Sequence, residues 1–76
     1  MENTAAEEEL TDRVAQFVKS KRIARGESQT QLAVRAFGDK TKQNWISRIE
    51  NGRPIGLFTL AKLLEALDAK IEFIEL

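Results

Sequence analysis

The sequence contains no cysteine and no histidine. Without them the chain has no disulfides, no thiolate or imidazole metal ligands, and none of the usual pairs of a nucleophile and a base. The longest purely apolar run is residues 32–34, too short for a membrane span or for the core of a signal peptide. We therefore predict a cytoplasmic protein that is not an enzyme and that needs no metal, cofactor or membrane.

The chain also lacks an excess of either charge, because twelve basic residues balance twelve acidic ones and the net charge is zero. The balance changes along the chain. Residues 1–12 carry five acids and no base, residues 65–76 carry four acids and one base, and residues 13–64 carry eleven bases against three acids, a local charge of +8. Such a segment is typical of a protein that binds a polyanion, and a solvated surface with clustered charges is the alternative.

A length of 76 residues allows one domain. A domain of this size buries only about 60% of its extended surface, so a partner subunit would add useful stability. The pattern divides the chain into an acidic, disordered N-terminus over residues 1–9, a helical domain over residues 10–68 and a C-terminal strand over residues 69–76.

Apolar residues at helical spacing predict a first helix over about residues 10–25, closed by Gly26. Ser28 and Gln31 have the spacing of a capping box, in which each side chain satisfies a free backbone amide at a helix start. We expect a second helix of about nine residues from there to Gly38.

The third predicted helix covers residues 42–50, where Ile46 and Ile49 form a narrow apolar stripe. Residues 51–56 break the chain before a fourth helix. The apolar stripe of this fourth helix consists of Phe58, Leu60, Leu63, Leu64 and Leu67.

The last residues follow the period of a strand, because Ile71 and Phe73 alternate with charged residues and the β-branched Ile74 follows them. A lone strand with apolar residues on both faces needs another edge, and the simplest edge is the same strand of a second copy. We therefore predict a homodimer in which Ile71, Phe73 and Ile74 form the contact.

The second and third helices match a helix-turn-helix, whose second helix enters the major groove of DNA. Glutamine and asparagine can each pair with adenine through two hydrogen bonds, and arginine can do so with guanine. We assign base reading to Gln43, Asn44 and Arg48, with Lys42 and Ser47 as further candidates. A solvated helix face is the alternative for these residues.

Four segments occur in a specific order: VKSKRI at 18–23, SQTQLA at 28–33, ISRIENG at 46–52 and LAKLLEAL at 60–67. Through them the sequence resembles the lambda-repressor-like, Cro/CI-type (XRE) helix-turn-helix family. The resemblance implies a mainly α, four-helix DNA-binding domain, to which this chain adds a C-terminal β-strand pairing across a dimer. In relatives of the repressor type the tail is a fifth helix, which is the alternative here.

The resemblance also implies roles for single residues. Arg22 and Glu50 match an ion pair that ties the first helix to the recognition helix. Phosphate contacts are implied for Gln29 at the start of the second helix and for Asn51 and Arg53 after the third. Apart from the resemblance, Ser28 is a cap that can also contact a phosphate, and Lys40 and Arg35 add positive charge for phosphate binding. Thr41 belongs to the extra segment before the third helix, which is a further candidate for a phosphate contact.

The chain departs from the family pattern in one place, because nine residues separate Ala33 from Gln43, several more than is common. Either the second helix is longer or the turn is enlarged. A shift in the phase of the third helix would exchange the roles of Lys42 and Thr41 with that of Gln43. Trp45 either packs against the enlarged turn or contacts a thymine methyl group or sugar at the groove wall.

Two functions follow as hypotheses. The first is a nucleoid-associated, homodimeric repressor that binds a palindromic operator in double-stranded DNA. The alternative is an antitoxin that binds a toxin protein and regulates its own operon, because the helical body with a terminal strand resembles antitoxins of the Hip (high-persistence) type.

Overall fold

A computed structural model describes residues 5–76, and the fold over these residues is mainly α-helical. Its helices are α1 (Ala5–Ala24), α2 (Gln29–Phe37), α3 (Gln43–Glu50) and α4 (Leu57–Ala66), with a 3-10 turn (Lys40–Lys42) before α3. None of the helices in this described part of the chain combines the length and the apolar character that crossing a membrane requires.

The core lies where α2 packs against both α3 and α4 and where α1 packs against α3. Every helix contributes to it, and the chain segment just after α4 adds Leu67. The buried cluster consists of Val18, Leu32, Ala33, Ile46, Ile49, Leu63 and Leu67. Because Ile46 and Ile49 are buried in this cluster, the rotation of α3 about its own axis is fixed.

The first helix begins at Ala5 and ends at Ala24. Our expectation of a start near Leu10 was therefore wrong by five residues, and residues 5–9 are helical where we expected disorder. Alanine and glutamate are strong helix formers, so the AAEEE sequence extends the helix without apolar periodicity. The remaining residues of the predicted disordered segment, 1–4, lie outside the described chain.

The second helix has the predicted length and cap. Ser28 Oγ accepts a hydrogen bond from the Gln31 amide at 3.0 Å, and Gln31 Oε1 accepts one from the Ser28 amide at 2.7 Å, which completes the capping box. The helix ends at Gly38, whose φ of 70° lies in the left-handed region. The extra residues before α3 therefore enlarge the turn rather than lengthen α2.

Exposed apolar residues lie on both α1 and α4, and one of them belongs to the predicted stripe of α4. Phe58 is exposed because, at about 100° per residue, it lies on the opposite side of α4 from Leu60. Leu57 precedes it and is equally exposed, and Leu10 near the start of α1 is exposed as well. These positions leave apolar surface on the molecule.

The tail over residues 69–76 has neither helix nor strand in the described chain. Asp68 ends α4 with a left-handed φ of 54°, and the Ala69 amide donates to the Leu64 carbonyl at 2.9 Å. This left-handed residue stops the helix, so the tail is not the fifth helix that we considered. A strand requires a hydrogen-bonding neighbour, and the three residues we expected at the dimer contact, Ile71, Phe73 and Ile74, are exposed in the single chain.

Candidate nucleic-acid interface

The outward face of α3 carries most of the residues that we assigned to base reading. Asn44 and Arg48 are exposed, while Gln43 and Ser47 are half-buried. At about 100° per residue these four side chains lie within an arc of about 140°. The buried Ile46 and Ile49 lie outside this arc. One face of the helix is therefore polar and accessible while the other is fixed in the core.

A half-buried ion pair ties this helix to α1. Arg22 Nε donates to Glu50 Oε2 at 2.7 Å and Arg22 Nη2 donates to Glu50 Oε1 at 3.0 Å, so the guanidinium grips both carboxylate oxygens. Its third nitrogen donates to the Glu27 carbonyl at 2.8 Å. The hydrogen bonds to Glu50 raise the pKa of Arg22. This geometry places the two residues as the resemblance implied.

Two glutamines extend the ion pair across the start of α2 to the start of α3. Gln29 Nε2 donates to Glu50 Oε1 at 3.2 Å, and Gln29 Oε1 accepts from Gln43 Nε2 at 2.6 Å. The Gln29 side chain, which we assigned to a phosphate, is therefore engaged inside the protein. Gln43 keeps its Oε1 and one amide hydrogen for another partner. We name the set Arg22, Gln29, Gln43 and Glu50 the polar network.

The enlarged turn is closed by its own hydrogen bonds. Asp39 Oδ1 accepts from the Thr41 amide at 2.8 Å and from the Thr41 hydroxyl at 2.7 Å. Both hydrogen bonds lower the pKa of Asp39, and the bond from the Thr41 hydroxyl has the larger effect. The Thr41 hydroxyl hydrogen, which a phosphate would need, points to this carboxylate. Lys40 in the same turn is exposed.

Trp45 packs against the enlarged turn. Its ring meets Phe37 edge to face, with 5.4 Å between centroids, and the Lys42 ammonium lies 4.0 Å from the Trp45 ring centroid. The indole nevertheless remains 37% exposed beside Arg48 at the edge of the outward face. The structure therefore places Lys42 and Trp45 together at one border of that face.

The residues at the end of α3 have mixed roles. Asn51 Nδ2 donates to the Ser47 carbonyl at 2.7 Å, so this side chain caps the helix. Arg53, two residues further along the chain, is exposed. Arg35, which we counted toward phosphate binding, instead holds both carboxylate oxygens of Glu27 at 2.8 and 2.6 Å and donates to the Ala66 carbonyl. Its hydrogen bonds lower the pKa of Glu27.

Ion pairing reduces the charge available to a polyanion. Of the eleven basic residues in 13–64, four are in ion pairs within the described chain: Arg13, Arg22, Arg25 and Arg35. Seven remain outside these pairs: Lys19, Lys21, Lys40, Lys42, Arg48, Arg53 and Lys62. Four of the seven lie in or next to α3. The accessible positive charge is therefore concentrated around the helix with the polar face.

One contributor to this surface was missed by sequence reasoning. Lys19 and Gln16 of α1 line a shallow depression together with Asn51 and Gly52 at the end of α3. Asp12 belongs to the same depression, and its carboxylate lies 3.1 Å from where a Cβ on Gly52 would be. The only advance signal was that Lys19 lies opposite the apolar stripe of its helix. Its neighbours are set by the packing of α1 on α3.

Comparison with protein-family models, with curated proteins and with solved structures gives no match.

Proposed function

We propose that the protein is a sequence-specific DNA-binding repressor in which α2 and α3 form a helix-turn-helix and α3 enters the major groove. The observation that carries the proposal is the two-sided character of α3. Ile46 and Ile49 hold one side in the core, while Asn44 and Arg48 extend from the other. These are side chains that pair with adenine and guanine edges.

The dimensions of α3 fit this role. An α-helix with its side chains is about 10–12 Å across, close to the ~12 Å width of the major groove, and α3 presents about two turns of helix to it. The polar network makes the N-terminal end of α3 rigid, because the Gln43 side chain is held by Gln29. Gln43 still has hydrogen-bonding groups free for a base edge. A recognition helix that is ordered before binding loses less conformational entropy on the DNA.

We further propose a homodimer on a palindromic operator. The domain measures 35 × 27 × 21 Å, so two copies related by a twofold axis can hold equivalent helices about 34 Å apart. Successive major-groove half-sites lie ~34 Å apart. A symmetric dimer of a domain of this size can therefore meet both half-sites on one side of the duplex.

Selection of bound duplexes from a random pool tests the proposal, and a palindromic consensus is the expected result. Arg48→Ala should weaken binding to that consensus by about 1–3 kcal/mol and relax the preference at one base pair of each half-site. Its matched control is Lys19→Ala, which should weaken all sequences equally and reduce the salt slope by about 0.9 per subunit. Unchanged affinity and base preference in Arg48→Ala would refute the assignment of α3.

The exposed apolar residues at the start of α4 favour a second candidate function, that of an antitoxin. Leu57 and Phe58 are 84% and 82% exposed and lie next to each other. Adjacent apolar side chains of this size suit a protein partner. Co-expression with the product of the neighbouring reading frame should then yield a stoichiometric complex that Phe58→Ser disrupts, while Arg48→Ala leaves it intact. Absence of a complex with the wild-type chain would refute the antitoxin function and leave the repressor as the one proposed function.

A further inference from the structure

An apolar groove runs between α1 and α4. The residues that line it are different from those on the outward face of α3. Its apolar walls come from Leu10, Val14 and Phe17 of α1 and from Leu60 and Leu64 of α4. The groove has a volume of about 270 Å³. This lies just below the ~300–1,000 Å³ typical of small-molecule sites and is large enough to receive a few side chains. We name it the α1–α4 groove.

The edge of the α1–α4 groove is positively charged. Arg13 and Lys70 are the charged residues among those that line it. Arg13 pairs with Glu9 at 3.0 Å, but both side chains are well exposed, at 75% and 65%. Exposed pairs of this kind are weak, so Arg13 can exchange this partner for another carboxylate. An occupant with apolar side chains flanked by acids would match both the walls and the edge.

The tail of this chain has that composition. Residues 72–76 read Glu-Phe-Ile-Glu-Leu, so two apolar residues stand between two acids and a third follows. Phe73 is 95% exposed and Ile74 is 82% exposed. The tail leaves the groove at Ile71, which lines it, and the next apolar side chain is almost fully in solvent. A single copy thus shows an apolar groove and an apolar tail that are both uncovered.

We propose that the tail of a second copy occupies the α1–α4 groove, with Phe73 and Ile74 against the apolar walls and Glu72 and Glu75 near Arg13 and Lys70. Twofold symmetry makes the exchange reciprocal, because each copy supplies one tail and one groove. The inference rests on the homodimer in the proposed function and names what each tail contacts. It gives each tail a receptor surface on α1 and α4, in place of the pairing of the two tails that the sequence alone predicted.

Two full-length variants separate groove binding from pairing of tails alone. Leu10→Glu places an acid in the groove at an exposed helical position, and Phe73→Asp/Ile74→Asp removes the apolar part of the tail. Each variant alone should raise the dimer dissociation constant at least tenfold in sedimentation velocity. An equimolar mixture should form a heterodimer, because the intact tail of the first variant meets the intact groove of the second.

Leu57→Glu is the matched control, since it introduces the same charge at an exposed leucine outside the groove, and it should dimerise like the wild-type chain. Circular dichroism checks that each variant keeps its helical content. A synthetic peptide of residues 69–76 should bind the tail variant saturably and should bind Leu10→Glu at least tenfold more weakly. This second measurement does not depend on dimerisation.

A wild-type dimer that Leu10→Glu leaves unchanged would overturn the groove inference and leave the proposed repressor dimer standing. A mixture with no heterodimer would do the same and would favour contact between tails only. A wild-type monomer would overturn both the groove inference and the dimeric part of the proposed function. Operator binding, measured separately by gel shift, reports on DNA recognition in each case.

Discussion

The outward face of α3 (the α3 face) and the C-terminal tail both expose side chains that could suit a partner, but the two regions are supported in opposite ways. Behind the α3 face lie two buried isoleucines and the polar network, with Glu50 held by Arg22 and Gln29. Within the described residues the tail has neither helix nor strand, and Phe73 is 95% exposed. In the proposed function, the α3 face is therefore in place before it meets DNA, whereas the tail gains its contacts only in the proposed dimer.

The largest effect is expected where the polar network supports α3. Glu50→Ala leaves the half-buried Arg22 guanidinium without its carboxylate, and breaking a buried ion pair in this way costs about 3–5 kcal/mol of unfolding free energy. Glu9→Ala is the matched control, because its pair with Arg13 is exposed and should contribute less than about 1 kcal/mol. Urea unfolding followed by circular dichroism measures both, and equal losses would contradict the structural role of the network.

A smaller effect is expected at the turn after α3. Gly52 has a φ of 79°, and a Cβ there would meet the Asp12 carboxylate at 3.1 Å. Gly52→Ala should cost about 1–2 kcal/mol for the left-handed backbone, plus the displacement of Asp12. Gly26→Ala is the control, since its φ is 69° and no atom of the described residues beyond its chain neighbours lies within 4 Å of the added Cβ. Thermal unfolding should show Gly52→Ala as the less stable variant, and Asp12→Ala should remove the difference.

The enlarged turn should respond to acid. The folded-state pKa of Asp39 lies below its ordinary value of 3.8 because Thr41 donates to the carboxylate. The stabilisation of the turn by the ionised Asp39 carboxylate is therefore fully present above pH 3.8 and is lost as the pH falls through the lowered pKa. Trp45 is the only tryptophan and packs on Phe37 beside this turn, so its fluorescence reports the change. Asp39→Asn should remove this acid step, and an identical titration in the variant would rule out Asp39 as its cause.

The smallest effect on stability is expected in the tail. Phe73→Asp should change the unfolding free energy of the monomer by less than about 0.5 kcal/mol, because the side chain is exposed in the single chain. Chemical unfolding at a protein concentration below that of dimer formation measures this. A loss above 1.5 kcal/mol under those conditions would mean that the tail packs on its own body, and it would remove the contrast with the α3 face.

Much of the helical order was predictable because local signals were strong. The capping box of Ser28 and Gln31 marked the start of α2, and the spacing of Ile46 and Ile49 marked the buried side of α3. The start of α1 was missed because a polar helix end has no apolar period. Phe58 was placed in the stripe of α4 although its angular position puts it outside. The structure of the nine residues between Ala33 and Gln43 could not be predicted, because a longer second helix and a larger turn both account for nine residues.

The sequence by itself determined the helical pattern, the caps, and the position of a +8 segment between acidic ends. The tertiary structure decided which of those charges remain available, because ion pairs form between residues far apart in the chain, such as Arg22 with Glu50 and Arg25 with Asp68. It also decided that Gln29 and Gln43 meet and that Lys19 lies beside Asn51. Helix periodicity acts over a few residues, whereas these contacts depend on how whole helices pack.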